Sequence, residues 1–412
     1  MFVFENTKIY ITSPAYLHSG GPLLLHQLCY SLRKRNIDAY MLYIGNNKNP
    51  VHPFYEKFHL PYVRINDVIN SPENILLTCE TITSALYSNS FSKMRKMIWW
   101  LSVDNWYAER SVYLEQNRRN ILGAKFDRTY QFDSNIEVLH LVQSFYARKF
   151  LELNGIGSNL IYSLSDYLDP IFTENVENSL NHHKNNTILY NPKKGIEFTQ
   201  KLYTIDKKNG SNVEWKPIIN MTPEEVNENL RSAKLYIDFG NHPGKDRIPR
   251  EAAMCGCCII TGKNGAAQFF EDVAINDEYK FDAIDKNIPS ILNKMHYIID
   301  NYDTEINKFA GYRNKIMNEK SVFENEIDVL FTLLDSNISF KKRISLLYNS
   351  YVTADVIEKF SSDYYIAYVT GNFKKAKFIS LNNRLIPIIN EESTKELIES
   401  KNIEELMIYN KK

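Results

Sequence analysis

A short apolar run, a turn-rich loop, a helix and another apolar run recur along this chain, and that alternation constrains the fold more than any other feature. Lys8–Ile11 is a β-rich run, Ser13–Pro22 is a loop, and Leu23–Lys34 carries Leu24, Leu25, Leu28 and Leu32 at helical spacing. Ala39–Ile44 is the next strand. Such βαβ units build parallel sheets covered by helices. Asn74–Thr78, Lys96–Leu101, Glu137–Val142 and Leu160–Leu164 read as further strands, and Thr83–Ser90 as a helix. Ser144 stands as the N-cap of a helix over Phe145–Asn154, which Gly155 closes.

The rhythm pauses at the polar stretch 174–186, the best candidate for a linker, and then restarts. Thr187–Tyr190 is a strand, Asn191–Gly195 a loop, Ile196–Tyr203 a helix and Val213–Ile218 a strand. Thr222, Pro223 and Glu225 make a capping-box start for a helix to about Ser232. Leu235–Phe239 is a strand and Gly240–Ile248 a loop. Pro249 opens a helix to Cys255, Gly256 ends it, and Cys257–Thr261 is the strand before the Gly262–Gly265 loop. Ile288–Asn301 and Thr304–Asp335 read as helices. Beyond 337, Tyr364–Val369, Lys377–Leu381, Arg384–Ile389 and Glu405–Tyr409 read as strands around a helix over Ser393–Ser400. The expected class is α/β. Its parts are a Rossmann-like domain over 1–172, a second over 187–335, and a small appended α+β segment over 337–412. The 412 residues agree with that count at roughly 150 residues per domain.

Charge and cysteine content narrow the partners. The 49 basic and 49 acidic side chains cancel, which argues against a general nucleic-acid binder. The N-terminus lacks a basic start followed by an apolar core, and no run approaches the roughly 18–20 apolar residues of a membrane span. The protein is expected in the cytoplasm, with peripheral contact at the inner face of the membrane left open. Cys255 and Cys258 have C-x-x-C spacing, but no second half-site accompanies them. The cysteines read as small buried groups, and no metal site is expected.

The chemistry concentrates in Leu230–Gly265, LRSAKLYIDFGNHPGKDRIPREAAMCGCCIITGKNG. Ligands of parallel α/β sheets sit at the carboxyl ends of the strands. The loop there holds His242, Lys245, Asp246, Arg247 and Arg250, with Glu251 at a helix start. Such a carboxylate suits a ribose diol, although a first-turn acid also simply complements the helix dipole. Lys245, Arg247 and Arg250 suit a diphosphate, the alternative being a solvated surface. Gly262–Gly265, read as preceding a helix, offers backbone N–H groups to a phosphate.

This stretch resembles the nucleotide-binding domain of GT-B glycosyltransferases, especially family 4 and its bacterial polysaccharide relatives. Arg250–Gly256 (REAAMCG) and the strand after it match the second half of that family's Glu-x7-Glu motif. Glu251 would be the second glutamate, which holds the donor ribose; the first would fall at Pro243 and is absent. Either His242, Lys245 or Asp246 stands in for it, or the donor sugar differs from the family's. Leu189–Gly195 (LYNPKKG) resembles the loop opening that domain, which implies that Lys193 or Lys194 reaches the donor diphosphate. Lys263–Ala267 resembles the glycine loop near the donor phosphates, bringing in Gly262, Asn264 and Gly265. Ser19–Leu32 resembles the Gly-Gly loop of the acceptor domain, where Gly20 and Gly21 let the backbone approach the sugar-diphosphate.

The resemblance implies two Rossmann-like domains facing a cleft and transfer from a nucleotide sugar to a glycan or lipid-linked acceptor. It implies cationic side chains in place of a metal and no cofactor. Asp104 follows the strand Met97–Leu101 and is the best candidate base, unless it caps the helix after it; Trp106 and Tyr107 would stack on a sugar ring. His18 and His242 are weaker base candidates. A sugar-nucleotide epimerase, a phosphorylase and a non-catalytic nucleotide-sugar-binding partner remain open. No G-x-G-x-x-G follows the first strand, against a dehydrogenase.

Overall fold

The computed structural model describes residues 2–45, 48–119, 129–134, 136–174, 176–333, 352–361, 364–371, 374–381 and 384–387. These form two compact units: Met1–Ile98 with Asp133–Leu139 and Ile327–Lys412, and Trp99–Phe132 with His140–Glu326.

In the first unit, parallel strands lie in the order Tyr62–Val63, Asp38–Ile44, Lys8–Pro14, Ile75–Cys79. The helix Gly20–Lys34 buries Leu24, Leu25, Leu28 and Leu32, the four residues at helical spacing. It starts three residues earlier than expected, because Pro22 in its first turn needs no N–H partner. Thr83–Ser90 is not a helix. Glu80–Tyr87 and Asn89–Phe91 are 3-10 turns, broken at Ile82, whose backbone is non-helical. The β-branched run Thr81-Ile82-Thr83 disfavours a continuous helix there. Phe2–Val3 pairs in parallel with Thr332–Leu333. The C-terminal segment is a four-stranded antiparallel meander over Val352–Ser361, Tyr364–Gly371, Lys374–Leu381 and Arg384–Pro387. The helix expected at 393–400 and the strand expected at 405–409 lie outside the described residues.

The second unit holds a five-stranded parallel sheet. Its order is Glu214–Pro217, Asn185–Tyr190, Ala233–Asp238, Cys258–Gly262, Lys280–Phe281. Leu235, Ile237, Ile259 and Ile260 are fully buried, as expected of strands covered on both faces. The capping box at Thr222 and Glu225 forms as read from the sequence, and Ser144 caps Phe145–Leu153 by accepting from the Ala147 N–H. The linker stretch contains a short helix, Val176–Leu180, and the next strand begins inside it at Asn185. The helix expected over Thr304–Asp335 is instead Tyr302–Glu305, a 3-10 turn, Ala310–Met317 and Glu319–Leu330. Asn318 closes the third piece, and its carbonyl accepts the Val322 N–H of the fourth. Among the described residues, no helix is long and apolar enough to cross a membrane.

Two buried histidines make stability depend on pH. The Trp100 indole N–H, which can only donate, points at His140 Nδ1 at 3.0 Å, so that nitrogen carries no proton. His26 Nδ1 lies 2.6 Å from the Pro22 carbonyl and Nε2 lies 2.8 Å from the Tyr43 hydroxyl, which again suits a neutral ring. Burial pulls both rings down to about 4. Below the ordinary histidine value of 6.5 the unfolded chain binds protons that the fold refuses. Stability is therefore complete above about pH 6.5 and is lost as pH falls toward 4, by up to about 3 kcal/mol per ring. Urea midpoints at pH 7 and pH 4.5 should show that fall; equal midpoints would contradict it.

Candidate functional site

The site is built where the strand Ala233–Asp238 ends. Asp238 Oδ1 accepts the Gly240 N–H at 2.9 Å, and Oδ2 accepts the buried Tyr236 hydroxyl at 2.9 Å. This turn presses against the loop after Asn185–Tyr190. Gly195 has φ +59°, and a Cβ there would lie 2.5 Å from the Phe239 carbonyl; a Cβ on Gly240 would lie 2.2 Å from Lys194 Cβ. The two turns nest only because both residues are glycine. The nesting carries Lys194 across to Asp246, with Nζ 2.6 Å from Oδ2.

The same loop is pinned from the other side. The Val103 N–H donates to the Pro243 carbonyl at 2.8 Å, and the Lys245 N–H to Gln143 Oε1 at 3.3 Å. Asp104 lies in the first turn of the helix Val103–Arg119, not at its cap. The Ser102 hydroxyl accepts from the Asn105 N–H at 3.3 Å and serves that end. The Asp104 carboxylate instead receives a hydrogen bond from the Asn241 side-chain amide. Burial pushes the Asp104 carboxyl up; Lys194 opposes that and Asp246 reinforces it. Asp104, Asn241, Lys194, Asp246 and His242 thus form one polar cluster at the carboxyl end of the sheet.

Other expected donor residues sit differently. Arg250 is fully buried, with its guanidinium 2.6 Å from Asp166 and 2.7 Å from Glu319, so it is spent inside the protein rather than offered to a diphosphate. Lys245 joins the same network, 2.7 Å from Glu319 and 3.6 Å from Asp166. Burial alone would push the Asp166 carboxyl up, but Arg250 and Lys245 outweigh it and hold it below its usual value. The helix begins at Arg247, not at Pro249, so Glu251 stands in its second turn. Glu251 is nearly buried, its carboxyl raised by burial against the pull of Arg247, whose guanidinium is 3.0 Å away and part-exposed. Lys193 is exposed and its N–H binds Asn191 Oδ1.

Gly262 ends its strand, and Asn264 is exposed. Gly265 leads into a three-residue 3-10 turn, Ala266–Gln268, not a helix, and the Ala266 N–H already donates to the His242 carbonyl at 2.8 Å. The expected helix N-terminus for a phosphate is therefore missing there. Gly265 is needed for packing, since a Cβ would lie 2.1 Å from the His242 oxygen. Trp106 is buried and donates to the Tyr130 carbonyl, so it offers no stacking face; Tyr107 is half exposed. Gly20 and Gly21 open the helix Gly20–Lys34 in the other unit, and a Cβ on Gly20 would meet nothing within 4 Å. His18, also in that unit, is exposed and stacks on His52 at 5.0 Å.

Sequence reasoning missed Asn241, Gln143, Asp166 and Glu319. Asn241 lay within the singled-out loop; the other three come from distant segments with no local signal. The three neighbouring cysteines are buried and free, and the Cys257 thiol, pushed up to about 11 by burial, donates to the Leu230 carbonyl. One group of potential metal ligands occurs among the described residues: Asp238, His242 and Asp246, with ligand atoms within 4.8 Å of one another.

No protein-family model and no curated protein matches the chain. Among solved structures, it is similar to Anabaena Alr3699/HepE in complex with UDP-glucose, at 11% identity and a TM-score of 0.53, covering 78% of this chain and 99% of that one. HepE in complex with UDP gives 0.54 at the same identity and coverage. Sucrose-phosphate synthase from Thermosynechococcus elongatus gives 0.53 at 10% identity, covering 79% of this chain and 98% of that one. These neighbours are GT-B glycosyltransferases. The chain has their fold: α/β, with helix-covered parallel sheets.

Proposed function

We propose that this protein is a glycosyltransferase of the family 4 type. It moves a sugar from a nucleotide-diphosphate sugar to a glycan or lipid-linked acceptor in bacterial surface polysaccharide synthesis. The observation that carries this reading is the cluster of Lys194, Asp104 and Asn241 at the carboxyl end of a parallel sheet. Ligands bind there in open α/β folds, and the GT-B neighbour HepE was solved with UDP-glucose.

In the transfer, the acceptor hydroxyl oxygen bonds to the sugar's anomeric carbon, the bond from that carbon to the diphosphate oxygen breaks, and negative charge is left on the diphosphate. Lys194 is assigned to oppose that charge, with Lys193 and Arg247 as outer cations. Stabilising charge as it develops is usually a large part of catalysis. Asp104 takes the acceptor hydroxyl's proton; its raised affinity for protons suits a base, and Asn241 fixes its orientation. Glu251 holds the ribose. The leaving-group step uses side chains and no metal or cofactor. The acceptor domain is assigned to 1–172, the donor domain to 187–335, and the working place to the cytoplasm at the inner face of the membrane.

A thermal-shift series against UDP, UDP-glucose, ADP and GDP tests the reading. A nucleotide at ~100 times its dissociation constant should add roughly 2.7 kcal/mol of stability. If none of the four shifts the transition, the donor-binding assignment is lost.

A further inference from the structure

We propose that Asp238, His242 and Asp246 form a buried divalent-cation site that locks the loop between the strand Ala233–Asp238 and the helix Arg247–Met254. His242 is the central observation. Its side chain is fully buried, and neither ring nitrogen has a hydrogen-bond partner. A neutral imidazole has one donor and one acceptor to satisfy, and leaving both buried and unmet is costly. Nε2 lies 3.6 Å from Asp238 Oδ1, and Nδ1 lies 3.2 Å from Asp246 Oδ2. An ion can use only one of these ring nitrogens; one ligand atom from each of the three residues lies within 4.8 Å of the others, and an ion bound about 2.0–2.2 Å from each would draw them slightly together.

The three residues are held on backbone that cannot easily shift. Asp238 is tied by Gly240 and Tyr236, and His242 by the Ala266 N–H to its carbonyl. Asp246 is the N-cap residue of its helix. Two carboxylates and a neutral imidazole carry two negative charges, and Lys194 beside Asp246 offsets one. The remainder favours a cation, and the mixed nitrogen and oxygen donors suit Zn²⁺, Mn²⁺ or Co²⁺ better than Ca²⁺. The role is structural. The ion would hold the turn that presents Asn241 to Asp104 and leave the diphosphate to Lys194.

The full-length protein, stripped with EDTA and dialysed, should bind Zn²⁺ or Co²⁺ at one ion per chain in calorimetry. Co²⁺ should give a visible absorption band, and the thermal transition should rise with either ion. His242→Ala and Asp246→Asn should each weaken binding at least tenfold, with circular dichroism confirming that the variants fold. Absence of stoichiometric binding by the parent protein to Zn²⁺, Mn²⁺ and Co²⁺ overturns the site, and so does binding that survives His242→Ala. An imidazolium bridging the two carboxylates would appear as a doubly protonated ring by NMR with no metal affinity, and also overturns it. These readouts need neither donor nor turnover, so they stand apart from the transferase reading.

Discussion

Replacing Arg250 with alanine should destabilise the protein by about 3–5 kcal/mol, the cost of breaking a buried ion pair by removing one partner. The guanidinium is fully buried and meets Asp166 at 2.6 Å and Glu319 at 2.7 Å, while its other N–H groups donate to the Asp246 and Lys245 carbonyls at 3.2 Å. Alanine leaves two carboxylates in the interior with Lys245 as their remaining ion-pair partner. The urea midpoint should fall steeply in the single variant. Arg250→Met combined with Asp166→Asn should recover much of the loss, because Lys245 and Glu319, 2.7 Å apart, then remain as a balanced pair. If Arg250 met a donor diphosphate instead, Arg250→Ala would leave the midpoint unchanged and only weaken nucleotide binding.

That residue also shows where sequence reading stops. The βα alternation, the capping box at Thr222 and the buried helix face at Leu24–Leu32 were legible because each depends on neighbours within a few positions. The loop Gly240–Arg250 was legible as a place of chemistry for the same reason. Which of its cations faces inward was not legible. Arg250 turns into the core because Asp166 and Glu319 arrive there from 84 and 69 residues away, and nothing within the loop signals them. Lys194 was named only as one of two adjacent lysines. The nesting of Gly195 against Phe239 selects it, a contact between segments over forty residues apart. The four-stranded meander was partly visible as alternation, but the strand Val352–Ser361 was missed, because its charged positions Asp355, Glu358 and Lys359 break the apolar pattern.

Lys194→Ala should lower transfer from UDP-glucose, or from whichever nucleotide sugar binds, by about 10²–10³-fold, the usual cost of removing one stabilising group from a developing anion. Lys194 is the cation that the fold places in the cluster with Asp104 and Asn241, and its stem lies against a turn whose glycine cannot be replaced without collision. Its ion pair with Asp246 is about one-third exposed on the lysine side, so losing it should cost little stability and the variant should stay folded. Asp104→Asn should instead spare donor binding and remove the base, so that transfer falls while the thermal shift with nucleotide persists. The pair of variants separates the two roles: Lys194→Ala weakens both nucleotide response and turnover, and Asp104→Asn weakens turnover alone. Full transfer activity in Lys194→Ala would take the leaving-group role away from this lysine and return the question to the exposed Lys193 and the part-exposed Arg247.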